Sequence, residues 1–163
     1  MKLTLNVGCG NRTFDEYPVG YKCINYDERS GLSKVDVVGD VRKLDFPDNY
    51  FENILASDII EHFKISETVS ILKEWKRVLK VGGIIEFRMP NLRAICKKYI
   101  DGVHDAKMAS WLLYGGQDYS GNFHYVGFDK ASFGAECKAA GLVITSYSEV
   151  GFNMIVKCRR NSA

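Results

Sequence analysis

Lys2-Leu-Thr-Leu-Asn-Val-Gly-Cys-Gly-Asn11 decides how this chain is read. A β-forming run of about five residues breaks abruptly into Gly8 and Gly10, as a buried parallel strand does when it ends in a turn whose backbone must come close to a ligand. A Cβ at either glycine would forbid the turn or hold the ligand away. The same turn is compatible with a purely structural role, so its meaning depends on the residues that lie at set distances after it.

Beyond the turn, a series of strand-like runs ends in small or acidic residues. Tyr21-Lys-Cys-Ile-Asn-Tyr-Asp27 closes on Asp27, 17 positions after Gly10. That is near the offset of about 20 residues at which a carboxylate accepts hydrogen bonds from vicinal ribose hydroxyls. Val35-Asp-Val-Val-Gly-Asp40 ends on a second acid, and Phe51-Glu-Asn-Ile-Leu-Ala-Ser-Asp58 ends on Ser57 and Asp58. In an open α/β sheet the ligand crevice lies beyond the carboxyl ends of the strands, so these endings are expected to converge on one site.

The order Leu5-Asn-Val-Gly-Cys-Gly10, Asn25-Tyr-Asp27, Gly39-Asp40-Val41, Phe46-Pro-Asp-Asn-Tyr-Phe-Glu-Asn53, Ser57-Asp-Ile-Ile-Glu-His62 and Trp75-Lys-Arg-Val-Leu-Lys-Val-Gly-Gly83 resembles the class I S-adenosylmethionine-dependent methyltransferases, over residues 3 to 158. Small single-domain members resemble it most. The resemblance implies an α/β, Rossmann-like, doubly wound and mostly parallel seven-stranded sheet of order 3-2-1-4-5-7-6, with helices on both faces. It also implies S-adenosylmethionine as cofactor. Backbone donors at Cys9, Gly10 and Asn11 would hold the methionine carboxylate, Asp27 the ribose and Asp40 the adenine amino group, with the Val41 backbone nearby. Ser57, Asp58 and His62 would border the same site. The chain departs from the commonest pattern at Asn6, where an acid is usual, and at Arg12, where a third glycine opens a long helix. Residues 11–20 contain Pro18 and Gly20 and leave room for about one helical turn, so the first crossover helix is expected to be shortened.

Composition narrows the class. With 163 residues, 46% hydrophobic and 26% charged, the chain reads as one globular domain, 1–163. A net charge of +2 from 22 basic and 20 acidic residues sets up no field for general nucleic-acid binding. Five scattered cysteines without C-x-x-C spacing point to reduced thiols and to neither a disulfide framework nor a zinc site. No apolar run reaches membrane-spanning length and no signal-type start is present, so a cytoplasmic protein is expected.

Along the chain, Ser66–Lys80 carries Val69, Leu72, Trp75, Val78 and Leu79 at helical spacing, with Ser66 as cap and Gly82-Gly83 as stop. Ile84–Met89 is a fifth strand. Arg88 near its end is placed either to touch substrate or to form an ion pair. Residues 91–128 exceed a minimal connection, with helical pieces at about 91–101 and 105–114 and then an aromatic, Gly-rich loop; the expected structure is a lid over the carboxyl edge. A helix from Asp129 to Gly141 and two final strands come next, and the tail from Arg159 is expected to fray.

Methyl transfer from a sulfonium needs alignment, desolvation and at most one proton acceptor, so the cofactor is legible and the acceptor is not. The expected acceptor is a small molecule or a sugar-like compound. His124, between Phe123 and Tyr125 in the lid, is the candidate base; the alternative is a histidine that pins the lid through a backbone carbonyl. Metal binding is not expected, because no second ligand lies at a metal spacing from His124. Glu61 and His62 are adjacent, and helical neighbours point apart, so they do not read as a working pair. Two rivals remain: a non-catalytic domain that binds S-adenosylmethionine or docks on a partner, and a nicotinamide-dependent oxidoreductase. The latter requires a helix N-terminus directly after the glycines to hold pyrophosphate.

Overall fold

A computed structural model describes residues 1–162. Seven strands form one sheet: β1 Leu3–Val7, β2 Lys22–Asp27, β3 Val37–Val38, β4 Phe51–Ser57, β5 Leu79–Pro90, β6 Leu142–Val150 and β7 Asn153–Arg160. Their order is β3-β2-β1-β4-β5-β7-β6. The pairs from β3 to β5 are parallel, and β7 runs antiparallel between β5 and β6. This is the predicted order. The helices are α1 Ile65–Val78, α2 Leu92–Ile100, α3 Ala106–Tyr114 and α4 Lys130–Ala139, with one 3-10 turn at Ile60–His62.

Alternation of side chains along the strands sorts the sheet into two unlike faces. Leu5, Val7, Ile54, Ala56, Ile85, Phe87 and Val156 share one core with Leu72, Trp75 and Val78 of α1 and Phe133 of α4. Trp75, fully buried, spends its indole N–H on the Val41 carbonyl at 2.8 Å. The alternate residues Asn6, Asn25, Glu86 and Arg88 face the other way. There the expected short helix is replaced by an extended segment, and the reason is the polarity of the sheet beneath it. Asn6 Nδ2 donates to the Arg12 carbonyl; Asn25 accepts from the Phe14 N–H and donates to the Phe14 carbonyl; Tyr17 donates to Glu86 and accepts from Arg88. An asparagine offers both a donor and an acceptor, which satisfies one residue of extended backbone and does nothing for a helix. Arg88 is therefore an ion-paired residue, bonded to Glu86 and Tyr17.

Boundaries differ from expectation at both ends of α1, at the tail and at β5, which begins at Leu79 rather than Ile84. α1 begins at Ile65 behind Lys64, whose N–H is accepted by Glu67, so Ser66 lies inside the helix. It ends at Val78, well before Gly82-Gly83, because Leu79 already has extended backbone. The orphan carbonyls of its last turn are taken by Asn49 N–H, Tyr50 N–H and Arg160 Nη1, which reaches the carbonyls of Lys76, Arg77 and Leu79. Arg159 and Arg160 consequently belong to β7, paired with Val143 and Leu142, and do not fray; Ala163, the last residue of that expected tail, lies outside the described residues.

The stretch 91–128 carries a small core of its own, Ile95, Ala109 and Leu112, against Leu113 and Phe152. Asn91 and Asp105 cap α2 and α3 with their side chains. Among the described residues no helix is long and apolar enough to cross a membrane. All five cysteines are free thiols, with Cys96 exposed.

Candidate functional site

A cavity of about 130 Å³ opens at the carboxyl ends of β1, β2 and β4, walled by Gly8, Asp27, Arg29, Val41, Asp58, Ile59, His62, Tyr119 and Gly121. The glycine turn shapes one side. Gly8 sits at φ +61°, and a Cβ there would lie 2.5 Å from Ile59 Cδ1; Gly10 sits at φ +53° with Arg29 Nη2 3.2 Å from the place of a Cβ. Both positions are left-handed backbone that side chains disfavour. Gly8 therefore requires glycine on two independent grounds.

Asp27 ends β2 on this wall and is almost fully buried. Its Oδ2 accepts the Gly10 N–H at 2.8 Å, and its Oδ1 accepts the Arg29 N–H at 3.0 Å and Arg29 Nε at 2.9 Å. Burial works to raise the carboxyl, but the Arg29 and Gly10 bonds outweigh it and hold Asp27 below the ordinary carboxylate range. The Arg29 guanidinium lies 5.0 Å from the centre of the Tyr119 ring, so a residue of the 91–128 stretch reaches across the cavity to β2.

The remaining expected residues divide. Val41, Asp58 and His62 line the cavity with Gly8 and Asp27. Asp40 does not: its carboxylate is turned outward into a bidentate ion pair with Arg42. Asn6 bonds Arg12 and Asn25 and serves the architecture. Cys9 and Gly10 are spent as backbone donors, on the Tyr26 carbonyl and on Asp27, so of the three expected donors only the Asn11 N–H makes no hydrogen bond within the described residues. The Cys9 thiol is pushed up to about 11 by burial and by Asp27, and so is no nucleophile at neutral pH. Ser57 Oγ accepts from Arg12 and donates to Asp58.

On the cavity wall the 3-10 turn meets residues 121–125. Tyr125 N–H donates to the Glu61 carbonyl at 2.8 Å, which lays residues 121–125 along the turn. His124 stacks edge-on against His62, ring centres 4.7 Å apart, and its Nδ1 lies 3.0 Å from the Leu112 carbonyl. His124 is thus behind the cavity wall, and His62 is the histidine that faces the space. The expectation that Glu61 and His62 diverge is corrected here: one ligand atom from each, and one from His124, lie within 4.8 Å of one another. A tight 3-10 turn and a third residue from a distant strand-to-helix connection bring together what helical spacing would separate.

Glu61 is 2% exposed, and among the described residues neither carboxylate oxygen has a hydrogen-bond partner; His62 Nδ1 is buried and unpartnered there as well. A buried polar group left without a partner costs about 1–3 kcal/mol, so this cluster is a costly feature. Burial, then the nearby Asp58, pushes the Glu61 carboxyl up to about 8. Burial, then His124, pushes His62 down to about 4, and burial also lowers His124 against the opposing Leu112 bond. Near neutral pH the three groups are uncharged.

Two participants escape a reading of the sequence: Arg29 and the burial of Glu61. Arg29 lies two residues after Asp27, a spacing at which a side chain folds back on its neighbour. Glu61 stands in Ile59-Ile-Glu-His-Phe63, and an acid inside an apolar run is the signal that could have marked it as buried. Tyr119 belongs to the aromatic, Gly-rich loop expected over the carboxyl edge.

The methyltransferase domain family matches residues 5–87. No curated protein matches the chain. Among solved structures, an S-adenosylmethionine-dependent methyltransferase from Methanosarcina mazei superposes with a TM-score of 0.73 at 16% identity, over 99% of this chain and 93% of the other. A Burkholderia thailandensis 1,6-didemethyltoxoflavin N1-methyltransferase, solved with 1,6-didemethyltoxoflavin and S-adenosylhomocysteine, gives 0.70 at 14% identity over 98% and 71%. The [4+2]-cyclase SpnF gives 0.65 at 16% identity over 99% and 75%. Since the family match covers half of the chain and the strand order and glycine turn agree with it, the chain belongs to the class I methyltransferase family.

Proposed function

We propose that this protein is an S-adenosylmethionine-dependent methyltransferase acting on a small-molecule or sugar-like acceptor. The observation that carries the cofactor is Asp27: a buried, ionised carboxylate at the cavity end of β2, held by the N–H of the glycine turn itself. Ribose hydroxyls are the neutral donors such a carboxylate suits. The cavity of about 130 Å³ is smaller than the roughly 300 Å³ at which ligand pockets begin. Binding therefore requires Arg29 to leave Asp27 and Tyr119 to move with it, which makes the 91–128 stretch a lid. Asn11 supplies the free backbone donor for the methionine carboxylate, and Val41 borders the adenine. Asp40 is too committed to Arg42 for the adenine amino group unless that pair opens.

Transfer is an in-line displacement in which the acceptor attacks the sulfonium methyl and the thioether leaves with the bonding pair. The enzyme's residues align the acceptor, exclude water and receive its proton. The groups at the acceptor end of the cavity are His62 on the wall and His124 behind it. His124, foreseen as the base or as the residue that pins the lid, bonds the Leu112 carbonyl and packs edge-on against His62, so in this reading it holds the lid on the turn and His62 faces the acceptor. A cytoplasmic location agrees with this chemistry.

A second reading is favoured by the likeness to SpnF: the fold also carries a reaction other than methyl transfer, so cofactor binding alone would not prove the activity. A nicotinamide enzyme is disfavoured because β1 is succeeded by an extended segment and no helix. Calorimetric titration with S-adenosylmethionine, S-adenosylhomocysteine and NAD, and then transfer of labelled methyl groups to a panel of hydroxylated and amine acceptors, separates these readings. Binding of the first two ligands with label transfer supports a methyltransferase. Binding without transfer to any acceptor supports the second reading, and binding of NAD alone overturns the assignment.

A further inference from the structure

We infer that Glu61, His62 and His124 form a binding site for a divalent first-row transition metal ion, with Zn2+ as the fitting occupant. One ligand atom from each residue lies within 4.8 Å of the others. Bonds of 2.0–2.2 Å in a tetrahedron place donors about 3.3 Å apart, so the three side chains need to close by roughly 1.5 Å. Two imidazoles and one carboxylate are a donor set that zinc enzymes use with an open fourth position, and nitrogen donors select against Mg2+ and Ca2+.

Three further observations point to a ligand. Both oxygens of Glu61 and Nδ1 of His62 are buried without a partner, so the donors are already stripped of competing bonds. The edge-on contact of the two imidazoles accounts for the rings but does nothing for these atoms. His124 Nδ1 sits 3.0 Å from the Leu112 carbonyl, which can only accept; Nδ1 therefore carries the hydrogen and Nε2 keeps its lone pair. Anchoring of the far nitrogen on a backbone carbonyl is how ligating histidines are oriented. The Asp58 carboxylate, which acts on Glu61 and His124, suits a dication and offsets the Arg29 guanidinium that acts on His62.

The site does not depend on the methyltransferase reading, although His62 lies on the cavity wall and an ion there would lower the pKa of an acceptor hydroxyl. The test needs no cofactor. The purified protein, freed of metal with a chelator, is titrated with Co2+ and then Zn2+. One equivalent of Co2+ should give the intense visible absorption of a low-coordinate ion, and Zn2+ should abolish it. The melting temperature should rise with Zn2+, and Glu61→Gln and His124→Ala should each weaken Co2+ binding at least about tenfold. In the unsubstituted protein, Zn2+ should shift the imidazole nitrogen resonances of His62 and His124 and leave His104 unmoved. This arm holds even if a variant fails to fold. Binding that survives both substitutions, a spectrum of hexaaqua Co2+ only, or unmoved His62 and His124 signals would overturn the site and leave water as the partner of these atoms.

Discussion

Asp27 and Glu61 are both buried carboxylates beside one cavity, and they are treated in opposite ways. Asp27 accepts from the Gly10 and Arg29 backbone and from the Arg29 guanidinium, and it is held ionised. Glu61 has no hydrogen-bond partner for its carboxyl among the described residues, and burial and Asp58 push that carboxyl up to about 8. Burial alone does not decide the state of an acid; the hydrogen bonds that survive burial do. At the β2 end of the cavity the carboxylate is already satisfied by the chain's own donors, whereas on the 3-10 turn the carboxyl has no hydrogen-bond partner among the described residues.

The contrast is easiest to break at Gly8, which touches both ends through Asp27's turn and Ile59. Gly8→Val should cost on the order of 2–4 kcal/mol from left-handed strain and the Ile59 overlap, and should abolish heat of binding with S-adenosylmethionine. An unchanged urea midpoint with normal titration would mean the turn is not built as described. Next in size is Asp27→Ala, expected to weaken S-adenosylmethionine binding by roughly 1.5–3 kcal/mol, the range for hydrogen bonds to a charged group. Unchanged affinity in a folded variant would remove the ribose from Asp27.

Matched isosteric changes sharpen the comparison. In chelator, Asp27→Asn should lower unfolding free energy by about 1–3 kcal/mol, while Glu61→Gln, with no hydrogen bond to lose, should stay within about 1 kcal/mol. The pH dependence carries a sign as well. The Asp27 pKa is depressed in the folded state, so its contribution is present above the unfolded value of about 3.9 and is lost as pH falls through the lower folded value. Denaturation curves between pH 5 and 2, taken as about 1-unit steps, should show this loss in the unsubstituted protein and a shallower one in Asp27→Asn. The smallest effect is expected at Tyr119→Ala, about 0.5–1 kcal/mol from the partly exposed contact with Arg29. A much larger loss would mean that the Tyr119 contact ties the 91–128 stretch structurally to Arg29.

The sequence by itself determined the sheet and half of the site. Strand runs ending at Gly8, Asp27 and Asp58 are local patterns of period two closed by special residues, and the family resemblance carried by those motifs implied the strand order. The helix entry at Asp129 was equally legible, because a cap is a contact over two or three residues, whereas the expected cap Ser66 lies inside α1. What only the tertiary structure decided were the partners supplied from far along the chain. Arg160 ends α1 from more than 80 residues away, and Asn25 and Glu86 hold the extended segment that displaces the expected helix. His124 meets Glu61 and His62 only because Tyr125 pairs with the turn and Leu112 fixes the ring. Asp40 shows the reverse: its strand-end position was visible, but Arg42 two residues on captured the carboxylate. Local order comes from neighbours in sequence; whether a buried acid keeps its charge, and which residue faces the cavity, depends on groups the chain brings together only when it closes.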